Sequence, residues 1–399
     1  MAVGLKPAEN LLPVAGVRLA SCAAGIRYQG RDDLVLIELS EGSQTAAVFT
    51  QNRFCAAPVV IAKRHLQKAV TNYLLINSGN ANAGTGEVGL KAAIDCCSAV
   101  SDEVDSVLPF STGVIGEQLP VKKITACLSG LKKDLNDGAW PLAAQAIMTT
   151  DTLAKGFSKQ ITLDGKIVTV TGIAKGAGMI RPDMATMLAF VATDAGISKS
   201  TLQAWLEELV TDSFNSITID GDTSTNDACV LIATNTSGVA VKNDDDQSRL
   251  KLALKGVFSQ LAQSLIRDAE GATKFICIEV EQAASREEAR TVAYTVAHSP
   301  LVKTALFASD PNWGRILAAV GRAPLDELDV QKVDILLGDV AVITAGEPDE
   351  KYTEAQGKAV MEQEEITLTI ALGRGQRSAK VWTSDLSHGY VSINADYRS

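Results

Sequence analysis

Six consecutive residues, Met187-Leu188-Ala189-Phe190-Val191-Ala192, carry no polar side chain. Such a run suits a strand buried on both faces. Around it the texture is mixed α and β, so the fold class is α/β. At roughly 150 residues per domain, the 399 residues predict two or three folding units. Residues 73–77 read as a strand ending in a Gly/Asn-rich loop, and 366–372 alternate as a half-buried strand. Asp164-Gly165-Lys166 between two β-branched runs predicts a tight hairpin, because Asp and Gly tolerate positive φ. Residues 90–104 and 140–148 read as helices. Ser200 with Gln203 forms a capping box before the stripe Leu202, Trp205, Leu206, Leu209 and Val210. Leu250, Leu254, Val257, Phe258, Leu261 and Leu265 form a second stripe. Ser285 and Glu288 cap a third helix, with Pro300 past its end. The charged stretches 242–247 and 346–351 read as surface turns.

The net charge of −10 argues against a nucleic-acid partner, which needs a basic footprint. A few local cations can still hold a small anionic substrate. The seven cysteines form no CxxC and their number is odd, which fits reduced thiols in a cytosolic protein. No apolar run approaches the ~18 residues of a membrane span. Leu19-Ala20-Ser21-Cys22 imitates a lipoprotein cleavage box, but Glu9 and Arg18 interrupt the apolar stretch it would need. The expectation is a cytoplasmic protein with no membrane partner.

Several motifs lead nowhere. Gly84-Thr85-Gly86-Glu87-Val88-Gly89 fits GxGxxG, yet the preceding strand ends several residues too early for a dinucleotide site. Asp220-Gly221-Asp222-Thr223-Ser224-Thr225-Asn226-Asp227 starts like a calcium loop. It has Thr225 where the glycine belongs and Leu231 where the glutamate belongs, and it reads as a polar turn. The three histidines, His65, His298 and His388, stand in no catalytic pattern. Any acyl-transfer chemistry here uses another base.

The segment from Lys175 to Leu188, Lys-Gly-Ala-Gly-Met-Ile-Arg-Pro-Asp-Met-Ala-Thr-Met-Leu, sets two glycines and a proline before a strand led by Thr186. It resembles the self-cleavage site of the ornithine acetyltransferases (glutamate N-acetyltransferases) of arginine biosynthesis. Leu75-Ile76-Asn77-Ser78-Gly79-Asn80-Ala81-Asn82-Ala83 is similar to that family's N-terminal signature, and Ser111-Thr112-Gly113-Val114-Ile115-Gly116 to its oxyanion loop. Met148-Thr149-Thr150-Asp151-Thr152, residues 219–227, Asp310-Pro311-Asn312-Trp313-Gly314-Arg315 and Ile393-Asn394-Ala395-Asp396-Tyr397-Arg398-Ser399 also match, in order along nearly the whole chain. Arg181-Pro182-Asp183-Met184 departs from the pattern, while Lys175, Gly176, Gly178, Ala185 and Thr186 keep it.

The resemblance implies a layered αββα sandwich, like that of N-terminal-nucleophile enzymes, with a smaller C-terminal domain within about 275–385. It implies scission between Ala185 and Thr186 into chains 1–185 and 186–399, two of each in the working assembly. Thr186 then bears a free α-amine beside its own hydroxyl. An α-amine with pKa near 7.7–8.0 is roughly one-third neutral near pH 7.5, against about 0.1% for an unperturbed lysine. Threonine with its N-terminal amine is a known variant of the nucleophile–base arrangement.

By the same resemblance Thr186 takes acetyl from N2-acetylornithine and passes it to glutamate. Thr112 and Gly113 form the oxyanion hole, where a donor is worth about 3–4 kcal/mol. Lys175, Thr149, Glu270, Asn394 and Ser399 contact substrate; among the threonines of 148–152 the assignment of Thr149 stays open against Thr150 and Thr152. No cofactor or metal is implied, and acetyl-CoA is open as a second acetyl donor. A self-processing amidase or aminopeptidase, with water as acceptor, is the alternative, and an unprocessed binding protein on the same fold is a further one.

Overall fold

The structure is a computed structural model and describes residues 2–8, 10–181 and 187–396. Ala185, Thr186 and Ser399 lie outside the described residues. The chain forms two compact units, one of Lys6–Asn215 with Asp222–Leu265 and one of Met1–Leu5, Ser216–Gly221 and Ile266–Ser399. No described helix is long and apolar enough to cross a membrane.

The larger unit runs β1 Val17–Cys22, β2 Leu34–Leu39, β3 Gln44–Phe49, α1 Ala57–Lys68, β4 Tyr73–Asn80, α2 Gly86–Val100, β5 Val107–Val114, α3 Val121–Asp134 and α4 Trp140–Ala146. It continues with β6 Lys155–Leu163, β7 Lys166–Lys175, β8 Leu188–Thr193 and α5 Lys199–Thr211. After β9 (Ile217–Thr218), which belongs to the smaller unit, come β10 Ala228–Ala233 and α6 Asp244–Arg267. Two sheets result, ordered β1-β2-β4-β5 and β3-β10-β8-β7-β6. Their inner faces share one core that includes Ile37, Leu74, Phe110, Ile173, Phe190 and Val230. Phe110 and Phe190 meet across it edge to face at 5.1 Å. The outer face of the first sheet buries Leu36 and Leu75 against Cys96 and Val100 of α2 and Leu128 of α3. On the second sheet Gly172 of β7 has room only for hydrogen, with Val257 and Leu261 of α6 over it. The layering is therefore helix, sheet, sheet, helix.

The apolar run behaves as its composition requires, since all six residues of β8 are buried. β8 pairs antiparallel with β7 and parallel with β10. The register sets Lys175, Leu188 and Ala228 side by side at one end of this sheet.

The smaller unit holds β11 Phe275–Ala283, α7 Arg286–Ala297, α8 Pro300–Phe307, α9 Trp313–Gly321, β12 Asp334–Leu337, β13 Val340–Thr344, β14 Glu347–Pro348, α10 Glu354–Met361, β15 Glu365–Ala371, β16 Arg377–Ser384 and α11 His388–Ala395. Its sheet order is β14-β13-β12-β15-β11-β16-β9, and its core joins Ile278, Val280 and Ile370 of the sheet to Val292 and Val296 of α7.

Several boundaries differ from the sequence expectation for local reasons. α5 starts two residues early, because Ser198, not Ser200, accepts the N–H of Thr201, and Gln203 instead donates to Glu207. α6 begins inside the stretch read as a turn. Asn243 accepts the Asp246 N–H at 2.8 Å, and three aspartates occupy the first turn, where the helix dipole favours negative charge. α2 opens at Gly86 and closes at Val100, four residues before the expected limits at each end. Pro300 opens α8 behind the cap Ser299 and does not merely follow α7. Residues 346–351 contain the short strand β14.

Candidate active site

β4 and β5 run parallel, with Ser78 opposite Thr112 and Gly79 opposite Gly113. Both glycines take positive φ, +95° and +132°. A Cβ on Gly113 would fall 2.3 Å from the Gly79 carbonyl carbon, so the two strands can close only through glycine. Three asparagines tie the loops beyond. The Asn77 amide donates to Asn80 O at 2.9 Å and accepts from Ser111 Oγ at 2.5 Å. Asn80 donates to the carbonyls of Glu117 and Gln118. Asn226 donates to Ala81 O at 2.6 Å and to Ser111 O at 2.9 Å, which clamps the residue just before Thr112.

Lys175 ends β7 and is buried. Its Nζ donates to Thr112 Oγ1 at 3.1 Å and to Thr149 Oγ1 at 2.8 Å. Thr149, one of the three threonines of its segment, is thus a neighbour of Lys175. Beneath it Asp151 accepts from Lys155 Nζ at 2.6 Å, Gly176 N at 2.7 Å and Thr149 N at 3.0 Å. Burial opposes ionisation of Asp151, but Lys155, Lys175 and the Thr149 N–H outweigh it and hold the carboxyl well below the usual carboxylate range. Ile180 bridges to Thr223, and Thr223 Oγ1 donates to Arg181 O at 3.2 Å, so the glycine-rich loop is held to the acidic turn.

In the smaller unit Glu270 is buried and accepts from Asn394 Nδ2 at 2.7 Å. Gly271 lets α11 approach: a Cβ there would meet Tyr390 N at 2.4 Å. Glu270 lies three residues beyond the end of α6.

The expected residues thus gather as Thr112, Gly113, Thr149 and Lys175 in the larger unit and as Glu270 with Asn394 in the smaller. Sequence reasoning assigned no role to Asp151, Lys155, Asn226 or Asp227, although three of them lie in quoted motifs; a lone acidic or amide side chain in a polar turn gives no sign of its partner. His65 is structural, held by Val107 O at 2.7 Å and Asp105 at 3.2 Å.

Two glycines, two hydroxyls and a buried ammonium at the rim of packed sheets are equipment for stabilising a developing oxyanion and gripping a carboxylate. The fold and site define a layered α/β acyltransferase. The ArgJ family model matches residues 18–399, and the chain belongs to that family, the acetyltransferases of arginine biosynthesis. It is 55% identical to the arginine biosynthesis bifunctional protein ArgJ of Pseudomonas fluorescens over 100% of both chains. It is 56% identical to that of Methylococcus capsulatus over 98% of this chain and 97% of the relative. A crystal structure of the Bacillus halodurans protein superposes with TM-score 0.51 at 38% identity, covering 53% of this chain and 100% of that one.

Proposed function

We propose that the enzyme moves acetyl from N2-acetylornithine to glutamate through an ester on Thr186, after self-cleavage between Ala185 and Thr186. The observation that carries this reading is the Lys175 ammonium bridging Thr112 and Thr149 at the end of β7, next to the strand that Thr186 leads into. Thr186 is the nucleophile and its α-amine the base. Thr112 and Gly113 hold the alkoxide. The Lys175 charge grips a substrate carboxylate and favours the deprotonated amine by like-charge repulsion. Glu270 pairs with the ornithine side-chain ammonium, and Thr149, Asn394 and Ser399 complete the substrate contacts. Ornithine leaves before glutamate enters, so initial-rate plots are parallel. Chains 1–185 and 186–399 assemble two of each in the cytoplasm. Acetyl-CoA serves as a second donor, a reading supported by the word bifunctional in the relatives' names.

Intact mass and N-terminal sequencing of active enzyme test this. The expected result is two chains, the second starting Thr-Met-Leu-Ala-Phe, and an inactive single chain for Thr186→Ala. A single active species of 42.0 kDa overturns it. Acetate release without transfer to glutamate would make the enzyme a hydrolase.

A further inference from the structure

The connection from β1 to β2, residues 23–33, has no part in the steps above. Buried Asp33 shapes it, accepting Ala24 N at 2.7 Å on one carboxylate oxygen and Ile26 N at 2.6 Å on the other. The Asp33 carbonyl accepts Ser78 N at 2.9 Å, which ties the loop to the strand facing Thr112. At Gly79, the next residue, a Cβ would fall 2.9 Å from Arg27 Cβ. Further along the loop, the Arg31 guanidinium donates to the carbonyl of Met148, the residue before Thr149. The loop therefore lies against the two segments whose hydroxyls Lys175 bridges, at Gly79 beside the strand of Thr112 and at Met148 beside Thr149.

Here the loop gathers two cations on one ring. The guanidinium carbons of Arg27 and Arg31 stand 5.6 and 5.4 Å from the centroid of the Tyr28 ring, which is 47% exposed. The ring face offsets part of the repulsion between them, and an anion placed there would offset more. Glu117 approaches Arg27 at 3.6 Å but is itself exposed, so solvent screens that pair and a substrate carboxylate can compete with it. Because Met148 and Thr149 are consecutive, the Arg31 guanidinium and the Lys175 ammonium stand no more than about 10 Å apart. The two carboxyl carbons of an extended glutamate are about 5 Å apart, and with a charge-assisted bond of about 2.8 Å at each end one glutamate can bridge both cations.

We propose that Arg31, with Arg27 beside it, grips the side-chain carboxylate of the acceptor glutamate while Lys175 grips its α-carboxylate. The proposal rests on the reading that acetyl is passed to glutamate. It says how one enzyme serves two substrates whose side chains end in opposite charges. Ornithine ends in an ammonium, for which Glu270 is the partner. Glutamate ends in a carboxylate, which Glu270 would repel and which a guanidinium can bind with two parallel N–H donors.

The test is steady-state kinetics on the full-length enzyme, wild type against Arg27→Gln combined with Arg31→Gln, with N2-acetylornithine as donor and either glutamate or glutamine as acceptor. Glutamine keeps the shape of glutamate without its side-chain charge. The expected result in the variant is a glutamate KM raised at least tenfold, an acetylornithine KM moved less than threefold, and a preference for glutamate over glutamine in kcat/KM cut at least tenfold. Should the double variant not melt like wild type, Arg31→Gln alone is read the same way, with threefold in place of tenfold. An unchanged glutamate KM, or a preference for glutamate that survives in the folded variant, overturns the proposal. A loss seen only with acetyl-CoA as donor also overturns it and assigns the cluster to that donor's phosphates. A wild type that passes no acetyl to glutamate overturns instead the reading beneath the proposal.

Discussion

The Asp151 carboxylate accepts the N–H of Gly176, the residue that follows Lys175, at 2.7 Å. Through its other oxygen it holds Thr149 N at 3.0 Å, so one buried carboxylate braces both partners of the Lys175–Thr149 contact. Its charge is balanced by Lys155, and both side chains are wholly excluded from solvent.

Removing one member of such a pair strands the other. Asp151→Ala leaves the Lys155 ammonium buried and uncompensated, and the expected loss is about 3–5 kcal/mol of stability. Chemical denaturation measures it. Asp151→Asn combined with Lys155→Met should recover much of that loss, while activity stays low because Thr149 and Gly176 lose their charged acceptor.

Lys175→Met should fold, since its stem lies in a buried setting that tolerates a similar apolar shape. The ammonium bridge to Thr112 and Thr149 disappears, and kcat/KM for acetylornithine should fall at least a hundredfold. Lys175→Arg should not restore it, because a planar fork does not reproduce a point charge between two hydroxyls. Steady-state kinetics on both variants decide.

Gly113→Ala forces a methyl toward the Gly79 carbonyl carbon at a φ of +132°. The loop proposed to hold the oxyanion must retreat, and kcat should drop about 10²–10³-fold, the usual cost of a lost oxyanion donor. A near-normal turnover would remove Gly113 from that role.

Lys303 supplies a pH test independent of catalysis. It is buried, donates to Thr383 Oγ1 at 3.0 Å and to the Ser384 carbonyl, and burial lowers its ammonium from 10.5 to about 8. Between about 8 and 10.5 the unfolded chain binds the proton and the folded chain does not, so this group makes stability rise with pH there. Below about 8 its penalty is fully present. Subtracting the stability-versus-pH curve of Lys303→Met from that of wild type should leave a rising difference across this window.

Local signals were legible where the chain's own neighbours decide the outcome. Asp164 and Gly165 take φ of 47° and 71° and close the hairpin between β6 and β7 as their chemistry predicts. Ser285 caps α7 through the Glu288 N–H. The site was legible only as far as the family motifs reached. Which threonine meets Lys175 depends on a contact 26 residues away, and the Asn226 clamp spans 145 and 115 residues. The three aspartates at 244–246 mislead for a related reason. Their charge suits an exposed turn and a helix start equally, and only the Asn243 cap decides.

β7 and β8 are neighbours in one sheet, and β8 is also laced to β10 on its far edge. Severing the link between Lys175 and Leu188 would free no fragment, because each new chain contributes strands to the same hydrogen-bonded ladder. The two pieces would be as hard to part as any one folded domain, and differently tagged precursors mixed after maturation should yield no hybrids short of denaturation.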